Sequence, residues 1–266
     1  MNLASLDGVI GPSEEALIPI TDDGLQRGDG VFEVSRLYKG VPFAHDEHIV
    51  RMRRGADNLR LEADFDALEA ETEALLEAAG PVDGQIRVML TRGGRRILTI
   101  EALPTVPPVA RVATVLYQPT ILLNGIKSLS YASNMLATRL AKERGFDEAL
   151  FVTPEGKVLE GATWTFFWVS GGQLYTPPLE DNILDSITRR LVFEGSSAVE
   201  RSCTREDLAQ ADEAFIASSA REVQPISAID DHEMPGAPGP VTRAAHEALL
   251  QRIEREVGAA AAVAAS

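Results

Sequence analysis

The stretch that decides the fold is "IKSLSYASNMLATRLAKERGFDEALFVTPEGKVLEG", residues 126–161. Near its start stands Lys127, among Gly, Ile, Ser, Leu and Tyr, in a chain whose other lysines are Lys39, Lys142 and Lys157. Arginine carries nearly all the positive charge elsewhere and would serve a solvated surface equally well. A lysine flanked by small and apolar residues is either a snorkelling side chain or an amine kept for its chemistry, because lysine loses its proton when desolvated and arginine does not. Beyond it, "SNMLATRLAKERG" has helical spacing, "EALFVT" reads as a strand, Pro154-Glu155-Gly156 as a turn, and "KVLEG" as a strand that brings Glu160 to its end. Glu160 can project from the sheet rim into a cleft, although a solvated strand-end glutamate has the same appearance.

On the N-terminal side, "LASLDGVIG" suggests a hairpin arm, and "GVFEVSRLYKGVPFA" a second hairpin turning at Lys39-Gly40. "DEHIVRMRRGADNLRL" sets Ile49, Met52, Ala56 and Leu59 at helical spacing with Asp46 as N-cap. "DFDALEAETEALLEAAG" predicts a further helix closed by Gly80-Pro81, and "GQIRVMLTRGG", "RILTIEALP" and "ARVATVLYQP" predict three strands. On the C-terminal side follow "TFFWVSGGQLYT", a Pro- and Asp-rich loop, a helix "SITRRLVFEG", a strand "EAFIASSA", a last helix from "GPVTRAAHEALLQRIERE", and a tail "GAAAAVAAS" without periodic pattern. The expected class is α+β. An N-terminal domain over 1–116, a linker over 117–123, a C-terminal domain over 124–258 and a disordered tail over 259–266 are expected.

A chain of 266 residues with a net charge of −15 repels phosphate backbones and anionic membrane surfaces, so neither nucleic acid nor a membrane is an expected partner. The lone Cys203 excludes an intramolecular disulfide, and His45, His48, His232 and His246 form no pair at helical metal-ligand spacing, so no metal site is expected. The start "MNLASLDGVIG" lacks the basic region and long apolar core of a signal peptide, so a cytoplasmic protein is expected.

A reactive amine points to pyridoxal phosphate, the cofactor that condenses with one and then acts as an electron sink. Such a cofactor needs a carboxylate at its ring nitrogen, for which Glu160 is the candidate, and donors for its phosphate. Arg51, one helical turn after His48 in "HDEHIVR", supplies a cation; "DSITRR" opens a helix at Ile187 and Thr188, and "ASSAREVQP" puts Ser219 at a strand end.

In this order, "DDGLQRGDGVFEVSRLYKGVPFAHDEHIVRM", the opening stretch, "NILDSITRRLV" and "IASSAREVQPI" resemble the class IV family of pyridoxal-phosphate enzymes over residues 3–257. That family contains branched-chain aminotransferases, D-amino-acid aminotransferases and aminodeoxychorismate lyases. The resemblance implies fold type IV, with a smaller N-terminal α/β sandwich and a larger C-terminal pseudo-barrel, as a homodimer. It makes Lys127 the Schiff-base lysine and acid/base, Glu160 the ring-nitrogen partner, and Arg51, Ile187, Thr188 and Ser219 the phosphate site, with Tyr131 near the ring hydroxyl. Phe32, Glu33, Arg92 and Ala220 are the candidate substrate contacts. The implied reaction moves an amino group from a small amino acid, D or branched-chain L, or an amine, to a 2-oxo acid. A lyase releasing 4-aminobenzoate and pyruvate, and a non-catalytic protein on the same fold, are the alternatives. The chain departs from the family in "GATWT", where Trp164 and Thr165 replace the usual Ser and Asn, and at Ser186, where glycine is usual.

Overall fold

A computed structural model describes residues 3–264 and divides them into two compact units. The first holds the chain up to Pro104, the short segment Ile126–Tyr131, and the chain from Ile253 on. Its elements are β1 (Leu3–Leu6), β2 (Val9–Pro12), α1 (Asp23–Arg27), β3 (Gly30–Tyr38), β4 (Val41–Pro42), α2 (His45–Leu59), α3 (Phe65–Ala79), β5 (Gly84–Thr91) and β6 (Arg96–Glu101). The strands make one antiparallel sheet in the order β2-β1-β6-β5-β3-β4. Both expected hairpins form, their turns falling on Asp7-Gly8 and Lys39-Gly40 with all four residues at positive φ.

Period-two alternation gives β3, β5 and β6 one apolar face each: Val31, Leu37, Ile86, Val88, Leu90, Leu98 and Ile100 pack under α2 and α3 with Ile49, Met52, Leu68 and Leu75. Phe32, Arg87 and Glu101 take the alternate positions and face the other way. Asp64 caps α3 through the Ala67 N–H. At α2 the expected cap is displaced. Ala44, in left-handed conformation, is the N-cap; its N–H donates to Glu256 at 2.7 Å, and Asp46 lies inside the first turn.

The second unit holds residues 105–125 and 132–252. It comprises β7 (Ala110–Leu116), α4 (Ala132–Glu143), β8 (Glu148–Val152), β9 (Lys157–Gly161), β10 (Thr165–Ser170), β11 (Gln173–Thr176), α5 (Ile187–Glu194), β12 (Val199–Glu200), β13 (Cys203–Thr204), α6 (Arg205–Ala209), β14 (Glu213–Ser218), β15 (Glu222–Ile229) and β16 (His232–Glu233), and α7 (Pro240–Ala264) begins in it. Its sheet runs β12-β11-β10-β14-β15-β7-β8-β9-β13 with β16 on β15, and it curls into a half-barrel around Leu150, Val158, Phe166, Trp168 and Ile216.

Two features differ from the sequence reading. β7 leaves the first sheet and runs parallel to β8 and β15, so the units do not part at 116 and 124. The register supplies the reason: Ala110, Val112 and Ala113 are all fully buried, which needs cover on both faces. The tail expected to be disordered from 259 continues α7 to Ala264, as alanine's helix propensity favours; residues 265 and 266 lie outside the described residues. Among the described residues no helix is long and apolar enough to cross a membrane.

Candidate active site

Lys127 belongs to the first unit through backbone pairing. Phe32 N–H donates to Lys127 O at 3.0 Å and Leu129 N–H to Gly30 O at 2.9 Å, with Val31 and Ser128 as bridge partners. The lysine segment thus adds an edge to the start of β3. Gly30 is required there, because a Cβ would come within 2.2 Å of Leu90 O. The pairing sets Lys127 opposite Phe32: its Nζ lies 4.5 Å from the Phe32 ring centre and 5.5 Å from that of Tyr131, and the two rings meet edge to face at 5.0 Å. The amine is half-buried against two aromatic faces, a setting that holds it in one place and limits its hydration.

Phe32 and Glu33, taken together as substrate contacts from the sequence, are separated by the pleat. Glu33 turns to the helix side, where Arg51 grips it with two bonds of 2.6 Å and His48 Nδ1 lies 2.8 Å away. Glu33 is 1% exposed, so it touches no substrate; it fixes Arg51. Burial alone would raise the Glu33 carboxyl, but the Arg51 guanidinium and His48 outweigh it and hold the group at about 2. Burial lowers His48 against the pull of its Glu33 partner, and burial together with His48 brings His45 to about 4.

Arg92 has partners of its own at the end of α2. It donates to Asp29 at 2.5 Å and to the carbonyls of Arg60 and Leu59 at 3.2 and 2.7 Å, so its guanidinium closes the C-terminal end of α2. Arg87, which an alternating strand hides as an ordinary outward residue, stands beside the ring instead: its guanidinium is 5.7 Å from the Phe32 centroid and bonds Glu101 at 2.8 and 3.0 Å.

In the second unit, Glu160 is half-buried at the end of β9 and accepts the Leu184 N–H at 3.0 Å. Burial and the Glu160 charge push the Tyr117 phenol up, against a Ser133 hydrogen bond; Tyr117 itself stacks on Phe151 at 4.1 Å. Ser186 caps α5 by accepting the Arg189 N–H at 3.2 Å, which explains a serine where glycine is usual. Ile187 and Thr188, both buried, then offer first-turn N–H groups that have no helical acceptor. Ser219, Ala220 and Arg221 form the hairpin turn between β14 and β15.

The matching family model, described as amino-transferase class IV, covers residues 30–229. This chain is a class IV aminotransferase. It is 35% identical over 251 residues to a putative branched-chain-amino-acid aminotransferase of Methanocaldococcus jannaschii, covering 85% of this chain and 87% of that one. It is 30% identical over 266 residues to the D-alanine aminotransferase of Bacillus licheniformis, covering 91% and 94%. With the aminodeoxychorismate lyase of Bacillus subtilis it shares 31% over 258 residues, covering 87% and 88%. Its fold matches the fold IV transaminase CpuTA1 of Curtobacterium pusillum at a TM-score of 0.84 and 28% identity, over 96% of this chain and 99% of that one. The fold is type IV, as the resemblance implied.

As a class IV aminotransferase the protein is an enzyme that uses pyridoxal phosphate, so the non-catalytic alternative falls. Each unit by itself offers groups that suit that cofactor: the first a primary amine against two rings, the second a half-buried carboxylate held by a backbone N–H and a helix start whose first-turn N–H groups have no acceptor within the helix. The departure at "GATWT" removes none of these donors. Trp164 is 4% exposed, lies flat against Gly161 and donates through Nε1 to Glu148 at 3.2 Å, while Thr165 begins β10 opposite Ala217.

Proposed function

We propose that this aminotransferase moves the amino group of a small amino acid, a D-amino acid or a branched-chain L-amino acid, or of an amine, to a 2-oxo acid, acting as a cytoplasmic homodimer. The observation that carries the reading is the Lys127 amine fixed opposite Phe32 by backbone hydrogen bonds. When bound, pyridoxal phosphate supplies an aldehyde for amines and a ring that draws electron density from the substrate Cα–H bond. Lys127 is the covalent holder of the cofactor and the base that takes the Cα proton and returns it one position away. Glu160 keeps a proton on the ring nitrogen, and the Leu184 N–H aims one of its oxygens.

Arg51, the Ile187 N–H, Thr188 and Ser219 take the phosphate, Arg51 in the orientation that Glu33 imposes. Phe32 and Tyr131 bound the space beside the amine, Tyr131 toward the ring hydroxyl, and the backbone at Ala220 is the remaining candidate for the substrate carboxylate. Exposure above 80% at Leu17, Ile20, Ile121 and Leu122 supports association with a second copy.

Release of 4-aminobenzoate and pyruvate is the second reading, favoured by the identity shared with the Bacillus subtilis lyase. The test is the visible spectrum of the holoenzyme with D-alanine, L-leucine, L-glutamate or (R)-1-phenylethylamine added singly. Conversion of the cofactor to its amine form by one donor supports transamination and identifies the handedness. A spectrum unmoved by all four, with 4-aminobenzoate formed from aminodeoxychorismate, replaces transamination by the lyase.

A further inference from the structure

We propose that Glu148 is a positioning residue for cofactor phosphate, holding the β14–β15 turn in place through Arg221, with Trp164 fixing Glu148 from the other side. The inference rests on the reading of Ser219 as a phosphate ligand. Glu148 opens β8 with its side chain 9% exposed. One carboxylate oxygen accepts from Arg221 Nη2 and the other from Trp164 Nε1 at 3.2 Å. Arg221, 11% exposed, is the last residue of the turn that carries Ser219, and its other terminal nitrogen donates to Gln224 at 3.3 Å. Gln224 in turn donates to Pro107 O at 2.5 Å, which ties the same arginine to fixed backbone.

Trp164 has no freedom to release the carboxylate. Its indole occupies the space over Gly161, where an added Cβ would fall 1.9 Å from the ring, and its own carbonyl accepts the Gly161 N–H at 2.8 Å. A nearly buried guanidinium is stable only with its counter-charge in reach. If Glu148 loses its charge, Arg221 must swing toward water, and the three-residue turn that bears it moves too. The predicted damage is therefore local to whatever Ser219 and its neighbours hold, and it spares groups bound elsewhere on the cofactor.

Pyridoxal phosphate and pyridoxal, which differ only in the phosphate, separate these effects. Dissociation constants of both are measured by equilibrium dialysis on the apoenzymes of Glu148→Gln, Arg221→Ala, Arg221→Lys and Ser219→Ala, with thermal unfolding of each. Glu148→Gln and Arg221→Ala should weaken pyridoxal phosphate about tenfold, the loss of one hydrogen bond to a charged group, and leave pyridoxal unchanged, while Arg221→Lys recovers part of the loss. Equal weakening of both ligands, or of neither, in Glu148→Gln and Arg221→Ala overturns the proposal. If Glu148→Gln does not fold, the same comparison between Arg221→Ala and Arg221→Lys decides it. If Ser219→Ala loses phosphate preference and the other two do not, only the positioning role fails. If Ser219→Ala keeps its preference, the phosphate reading of Ser219 fails and takes this inference with it.

Discussion

Replacing Glu33 by Gln tests the energetics of the buried cluster on α2 and β3. Glu33 and Arg51 are 1% and 6% exposed, and the two bonds between them are 2.6 Å each. Removing one partner of a buried pair leaves an uncompensated charge, which costs about 3–5 kcal/mol. An independent figure comes from the carboxyl itself: its fall from 4.5 to about 2 corresponds to about 3 kcal/mol of stability at neutral pH. The two agree, and for a chain of this size about 3 kcal/mol lowers Tm by roughly 6–12 °C.

The sign with pH follows from the direction of each shift. Glu33 is depressed, so its contribution is complete above about 4.5 and is lost as pH falls toward 2. His45, lowered to about 4, and His48, lowered by burial, bind fewer protons folded than unfolded, so stability already falls as pH drops below 6.5. Thermal or urea unfolding of the apoenzyme between pH 7 and 3 should therefore show a loss in two stages, and Glu33→Gln should shrink the second, leaving the part that Asp7 and Glu101, also held low, contribute. A variant as stable as the parent at pH 7, or one with an unchanged decline below pH 4.5, would refute the reasoning.

Three further outcomes are expected. Lys127→Ala should abolish turnover and the visible absorption of covalently held cofactor, read by stopped activity and spectrum together. Glu160→Gln should slow the half-reaction by about 10²–10³, the range of a lost electrostatic stabiliser, while cofactor stays bound; rapid mixing with a donor measures it. Cys203, whose thiol burial pushes far up, should resist thiol reagents in the native protein and react on unfolding, as a timed dithionitrobenzoate titration reports.

Much of the molecule is legible in the sequence, for identifiable reasons. Both short hairpins, α2 and α3 rest on local signals: Asp-Gly and Lys-Gly turns, apolar spacing, and the Asp64 cap. β15 does not stand out as a strand because Pro225 interrupts it, yet the residue pairs with Phe215 within the ladder. The cap of α2 is hidden because it is a backbone N–H meeting Glu256, a residue over two hundred positions away. At the site, Lys127 and Phe32 both stand in motifs that mark them. The division of Phe32 from Glu33 across the sheet follows from strand alternation, whereas the grip of Glu33 on Arg51 depends on which helix covers that face. The clamp of Arg92 on α2 is equally tertiary, since nothing near "MLTRGG" names Leu59 or Arg60 as its acceptors.

The first unit is assembled from three separated pieces of chain, the second of which is the lysine segment and the third the end of α7. On the ribosome the residues up to Pro104 emerge before the other two pieces, and at that moment the start of β3 still lacks Lys127 and Leu129 along its edge while the Ala44 N–H lacks Glu256. The nascent sheet must wait with an open strand, and the amine takes its place only after the intervening chain has been made. The β3 edge is thus closed once the lysine segment has been made, whereas a chain cut within α7 before Glu256 would still leave the Ala44 N–H at the start of α2 without that acceptor.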